Sequence, residues 1–236
     1  MNFAVDGSHR DFYRKHQWIE FEGLLSPARL LAIEKEIHEV LCKRIGIPDK
    51  EKPSAEEPLF SEDAEFRAGR DLWRGRQSLK KIALSKNLAQ VASEIIEQKP
   101  LRIGYDQFLP SPLLGLEENN FYTDLLKTTP TLQEMSPLQG VLCGLLICLK
   151  STPNEEKPST LFSPVAGNGV LFAPDHPIAF DELVSRQGSK YLLIAYAGSK
   201  SVFIHQSGDT HPSHFKKLGL NFGDRLNDLL NPIVYG

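Results

Sequence analysis

Apolar positions recur first at a helical period, then in short runs that ignore it. In GLLSPARLLAIEKEIHEVLCKRIG, Leu30, Ile33, Ile37, Val40 and Leu41 fall on one face of a helix. Ser26 stands at the N-cap, Pro27 suits the first helical position, and Gly46 and Pro48 end the element. A second helical region is predicted over roughly residues 78–98. Leu79, Ile82 and Ala83 open it, Ser85 or Asn87 recaps it, and Leu88, Val91, Ala92, Ile95 and Ile96 continue the face up to Pro100. The segment between the two helical regions, residues 48–66, is rich in Pro, Lys and Glu and reads as a mobile surface loop.

Beyond Pro100 the period changes. LRIGYDQFL (101–109) reads as a strand, and residues 110–138 read as a long connection with a mobile loop over 110–137. GVLCGLLICL (140–149) is a strand or a strand pair. Shorter strands are predicted near 160–163, 169–173, 190–197 and 201–205, and a short helix near 222–230. LLICL and YLLIAYA are apolar on both faces, which means a sheet covered on both sides. Helices come first and strands later, so the fold class is α+β: a sandwich or barrel with helices on the outside of one sheet.

Composition narrows the function classes. The chain has 236 residues, and 27 Lys and Arg against 30 Asp and Glu give a net charge of −3. Such a balance offers no general attraction for nucleic acid, so that partner is not expected. The amino-terminal residues lack the apolar core of a signal peptide, and no run of about 18 apolar residues is present. A soluble cytoplasmic protein of one domain over 1–236, with no membrane partner, is expected. Cys42, Cys143 and Cys148 form no CxxC and read as buried thiols. Cys143 and Cys148 are an odd number of residues apart, so they face opposite sides of a strand.

Two long stretches carry a family resemblance. HQWIEFEGLLSPARLLAIEKEI resembles the opening of the phytanoyl-CoA dioxygenase family, and RDLWRGRQSLKKIALSKNLAQVASEIIEQKPLRIGYDQFL continues the likeness. The resemblance covers roughly residues 12–200, and the chain looks like a divergent chlamydial member. It implies a double-stranded β-helix (a cupin-like jelly roll) with amino-terminal helices on the outer face of one sheet. It also implies Fe(II) and 2-oxoglutarate as cofactors.

The same resemblance locates the site. Such oxygenases hold Fe(II) with two imidazoles and one carboxylate. In NNFYTDLLK, Asp124 takes the place of the carboxylate, and Tyr122 stands where the family has histidine. In GVLFAPDHPI, the second histidine falls nearest Ile178, and His176 lies two residues early. The arginine that holds 2-oxoglutarate corresponds to Lys190, with Arg186 a few residues before it. A phenol is a poor substitute for neutral imidazole, and lysine lacks the bidentate fork of arginine. The expectation is therefore an oxygenase-like protein with a degenerate metal site around Asp124, His176 and Tyr122. It is a ligand-binding or repurposed module that takes a small molecule in the barrel mouth, and not a standard dioxygenase. An active oxygenase with altered ligands is the alternative.

Other constellations point elsewhere. HQSGDTHPSH places His205, Asp209, His211 and His214 close in sequence, which admits a divalent-metal site and with it a metal-dependent transcriptional regulator. RAGRDLWRGRQSLKK gathers Arg67, Arg70, Arg74, Arg76, Lys80 and Lys81 around Trp73. That segment suits either phosphate contact or ion pairing at the edge of the domain. No GxSxG elbow or phosphate-binding loop is present, which leaves no case for a hydrolase of that kind.

Overall fold

The computed structural model describes residues 4–48, 62–110, 121–128, 131–151, 165–180, 183, 188–209 and 211–236. Its first element escapes the apolar pattern. Helix α1 (Gly7–His16) buries only Tyr13. Asp6 starts it by accepting from the His9 backbone N–H at 3.1 Å, while His9 Nδ1 accepts from the Asp6 N–H at 3.3 Å. This is a capping box with histidine in place of the usual Glu or Gln.

Strand β1 (Trp18–Phe21) leads to α2 (Pro27–Ile45), which has the predicted limits. Its five predicted apolar residues are all buried, and Gly46 ends it at φ 90°, a conformation that favours glycine. After α3 (Glu62–Ala68), the predicted second region forms as two helices, α4 (Gln77–Ala83) and α5 (Lys86–Ile96). Ser85 divides them and caps α5, its hydroxyl accepting from the Leu88 N–H at 3.4 Å. Further elements are a 3-10 turn at Leu72–Arg74, β2 (Leu101–Leu109), α6 (Phe121–Thr128), α7 (Leu132–Met135), β3 (Leu138–Lys150), β4 (Gly169–Phe172), β5 (Lys190–Phe203), α8 (His214–Lys217) and β6 (Ile233–Tyr235).

Four expectations are corrected here. The connection over 110–138 holds α6 and α7, and α3 begins inside the segment read as a loop over 48–66. The strands expected at 190–197 and 201–205 are one strand, β5, whose pairing with β3 breaks after Ala197 and resumes at Val202, with residues 198–201 bulged opposite Gly140. No helix forms near 222–230: Gly223 takes φ 90°, and Arg225 makes an isolated antiparallel bridge to Val202. The strand expected at 160–163 lies outside the described residues, as do 49–61 and 111–120. No helix among the described residues is long and apolar enough to cross a membrane.

The six strands form one sheet in the order β1-β4-β3-β5-β2-β6, with every neighbouring pair antiparallel. The sheet is buried on both faces. On the outer face, Cys143, Leu145, Ile147, Leu192 and Ile194 pack with the apolar stripes of α2, α4 and α5. On the inner face, Leu146, Cys148, Phe172, Leu193 and Ala195 pack with Leu132 and Met135 of α7 and with Phe180, Phe215 and Leu220. Cys143 and Cys148 thus face opposite sides, as their spacing predicts, and all three cysteines are buried and free. Burial pushes the Cys148 thiol up to about 12. Gly144 permits the inner packing: a Cβ there would overlap the Phe172 ring and lie 3.0 Å from Leu132 Cδ2.

Candidate functional site

The residues expected to hold a metal stand in unlike surroundings. Asp124 lies on α6, its carboxylate 59% exposed and 3.8 Å from the Lys127 ammonium one helical turn on. Tyr122 belongs to the first turn of the same helix, and its side chain lies outside the described residues. His176 sits in the turn after β4, where its backbone N–H donates to the Ala173 carbonyl at 3.1 Å. Its ring is half-buried, and Nε2 has no hydrogen-bond partner among the described residues. Burial lowers its pKa, against the opposing pull of Asp175, so the neutral ring is favoured.

Lys190 opens β5 and stands opposite Lys150, whereas the last residue of β4, Phe172, stands opposite Gly144. Lys190 and the turn of His176 therefore leave the sheet toward opposite ends of β3, roughly 20 Å apart at the rise of an antiparallel strand. Arg186 lies outside the described residues. One position carries a phenol, and the carboxylate faces solvent next to a cation.

A second polar site lies at the β2 edge of the sheet, and it unites residues that sequence proximity kept apart. Residues 69–71 run antiparallel to β2: the Phe108 N–H donates to the Gly69 carbonyl and the Asp71 N–H to the Asp106 carbonyl, each at 2.9 Å. Gly69 allows this approach, since a Cβ there would lie 2.9 Å from Phe108 Cβ. Asp71 takes the left-handed conformation, φ 51°, which Asp tolerates better than most residues. Arg44, on α2, fixes the segment by donating to the carbonyls of Ala68, Arg70 and Asp71 at 2.6, 2.5 and 3.0 Å. Asp106 accepts from the N–H groups of Leu72 and Trp73 at 2.7 and 2.9 Å. Burial and the Asp71 charge push its carboxyl up to about 7.

Into this frame the carboxy-terminal histidines fold. His214 Nε2 donates to Asp71 Oδ2 at 2.9 Å, and Arg74 Nε donates to the same oxygen at 2.9 Å. Burial alone would raise the Asp71 carboxyl, but these two partners hold it below the usual range. His211 Nδ1 accepts from Arg70 Nη2 at 3.2 Å, and its Nε2 donates to the Phe66 carbonyl at 3.3 Å. Both ring nitrogens are thereby used as a neutral imidazole uses them. Burial, with the Arg70 and His214 charges, takes its pKa down to about 2. The Arg70 guanidinium lies 3.8 Å from the centre of the Tyr105 ring. Asp209 accepts from the His211 N–H at 2.9 Å.

The histidine tract thus closes the edge of the sheet instead of gathering its rings. Among the described residues no three His, Cys, Asp or Glu side chains are placed to hold a metal. His205 stays exposed, against the Phe222 ring. The basic segment is largely consumed by the fold: Arg70 and Arg74 serve the cluster, and Arg76 pairs with Glu39 at 2.9 Å. Tyr105, Asp106 and Gln107, absent from the sequence-based candidates, are central to this site. The signal was available, since YDQ interrupts an otherwise apolar strand and buried polar residues need partners.

No protein-family model and no curated protein sequence matches the chain. Solved structures do. The non-heme α-ketoglutarate-dependent carbocyclase SnoK from nogalamycin biosynthesis aligns over 97% of this chain and 96% of its own, at 14% identity and a TM-score of 0.61. The α-ketoglutarate-dependent epimerase SnoN, also from nogalamycin biosynthesis, covers 96% and 97% at 14% identity, with a TM-score of 0.56. EctD from S. alaskensis with bound Fe covers 94% and 87% at 10% identity, with a TM-score of 0.55. The shared feature is the fold: the chain is a cupin-like double-stranded β-helix, with its amino-terminal helices on the outer face of the sheet.

Proposed function

We propose that this chain is a divergent relative of the phytanoyl-CoA dioxygenases whose iron site has degenerated, and that it works as a ligand-binding module. The likeness to SnoK, SnoN and EctD supports the oxygenase-like frame, and a frame alone does not specify chemistry. The observation that carries the reading is Asp124. It stands where the family has its metal carboxylate, yet its side chain is exposed and lies beside Lys127. Tyr122 for histidine and Lys190 for arginine support the same conclusion from the sequence. The small molecule sits at the mouth beside His176, whose Nε2, without a hydrogen-bond partner among the described residues, offers it a hydrogen bond.

The same Nε2 favours a second reading, an active oxygenase that keeps His176 as an iron ligand. Turnover separates the two. With Fe(II), oxygen and 2-oxoglutarate, the first reading predicts no iron-dependent formation of succinate, and none after Tyr122→His. Succinate formation that disappears in Asp124→Ala or His176→Ala overturns it.

A further inference from the structure

Helices α2, α4 and α5 leave a cavity of about 460 Å³ between them, on the outer side of the sheet and away from both polar sites. That volume falls within the ~300–1,000 Å³ usual for small-molecule sites. Its apolar lining comes from Leu24, Leu25, Ile33, Ile82, Leu88 and Val91. Its charged lining is Arg29 from α2 and Lys81 from α4, and neither side chain has an ion pair or hydrogen bond among the described residues.

The charge there is one-sided. No Asp or Glu is among the described residues that line the cavity. The nearby acid of α2, Glu36, is occupied: its Oε2 accepts from the Ser78 and Leu79 N–H groups at 2.7 and 3.1 Å and so caps α4. The first turns of α2 and α5 contain no acidic residue to offset their N-terminal partial charges. An apolar floor beneath two unpaired cations matches a ligand with an alkyl tail and an anionic head.

We infer that this cavity binds a small single-tailed amphiphile through a carboxylate head, with the tail on Ile33, Ile82, Leu88 and Val91 and the head between Arg29 and Lys81. The inference is independent of iron chemistry and of the mouth beside His176. Its finite volume suits a small ligand better than a peptide helix, which needs an open groove.

Calorimetric titration of the full chain with decanoate tests it. Saturable binding is expected, at least tenfold tighter than for decanol, which lacks the charge, or acetate, which lacks the tail. Arg29→Glu with Lys81→Glu, both at exposed positions, weakens decanoate binding at least tenfold. Ala32→Trp, from an exposed position on α2 that lines the cavity, fills the space and abolishes it. Two independent variants guard against a fold defect in either, and thermal unfolding of each reports on it. Equal affinity for decanoate and decanol, decanoate affinity unchanged by both variants, no saturation at millimolar decanoate, or binding of an acidic amphipathic peptide in its place would each overturn the inference.

Discussion

His214 donates from Nε2 to Oδ2 of the fully buried Asp71, and this 2.9 Å contact ties the carboxy-terminal segment to the strip of chain beside β2. Asp71 Oδ1 has no hydrogen-bond partner among the described residues, so the carboxylate depends on His214 and Arg74. His214→Ala leaves Arg74 alone with a buried charge. The expected loss is about 2–3 kcal/mol in urea unfolding at neutral pH. His205→Ala, at an exposed ring, should change stability by less than about 0.5 kcal/mol.

His211 gives the fold an acid-sensitive element. Its pKa is depressed in the folded chain to about 2, against an unfolded value near 6.5. The unfolded chain therefore binds the proton first. The stabilisation is complete above about pH 6.5 and is lost progressively below it. Between pH 8 and pH 5 the loss should be about 2 kcal/mol at 1.36 kcal/mol per pH unit. The difference in unfolding free energy between wild type and His211→Gln should shrink by that amount as the pH falls. A difference independent of pH would show that His211 takes up its proton equally in the folded and the unfolded chain.

The inner face of the sheet is packed closely enough for one methyl group to matter. A Cβ on Gly144 would overlap the Phe172 ring and crowd Leu132. Gly144→Ala should destabilise the fold by about 1–3 kcal/mol through overpacking. Phe172→Leu costs stability alone, and combined with Gly144→Ala it should cost less than the sum of the two. A double-mutant cycle by chemical denaturation measures that coupling.

The sequence is most legible where local rules and tertiary packing agree. The apolar stripe from Leu30 to Leu41, bounded by Ser26-Pro27 and Gly46, predicts α2 to the residue. LRIGYDQFL predicts β2 equally well. Helix α1 is hidden because it buries only Tyr13 and depends on an Asp6–His9 cap. The gap between the strands expected at 190–197 and 201–205 is bridged within β5, although the ladder to β3 skips residues 198–201 and resumes at Val202. Residues 222–230 read as a helix, but Gly223 and the Val202–Arg225 bridge keep them irregular. Arg70, Asp71, His211 and His214 were each visible as polar residues. Their union depends on contacts across more than 140 positions, which no local pattern encodes.

The proposed module keeps an oxygenase-like fold and lacks a working iron site. The most direct test is an anaerobic titration of the wild-type chain with Fe(II) in the presence of 2-oxoglutarate, followed by visible absorption. No saturable metal-to-ligand charge-transfer band is expected. A band that saturates with Fe(II), requires 2-oxoglutarate and disappears in Asp124→Ala or His176→Ala would contradict it.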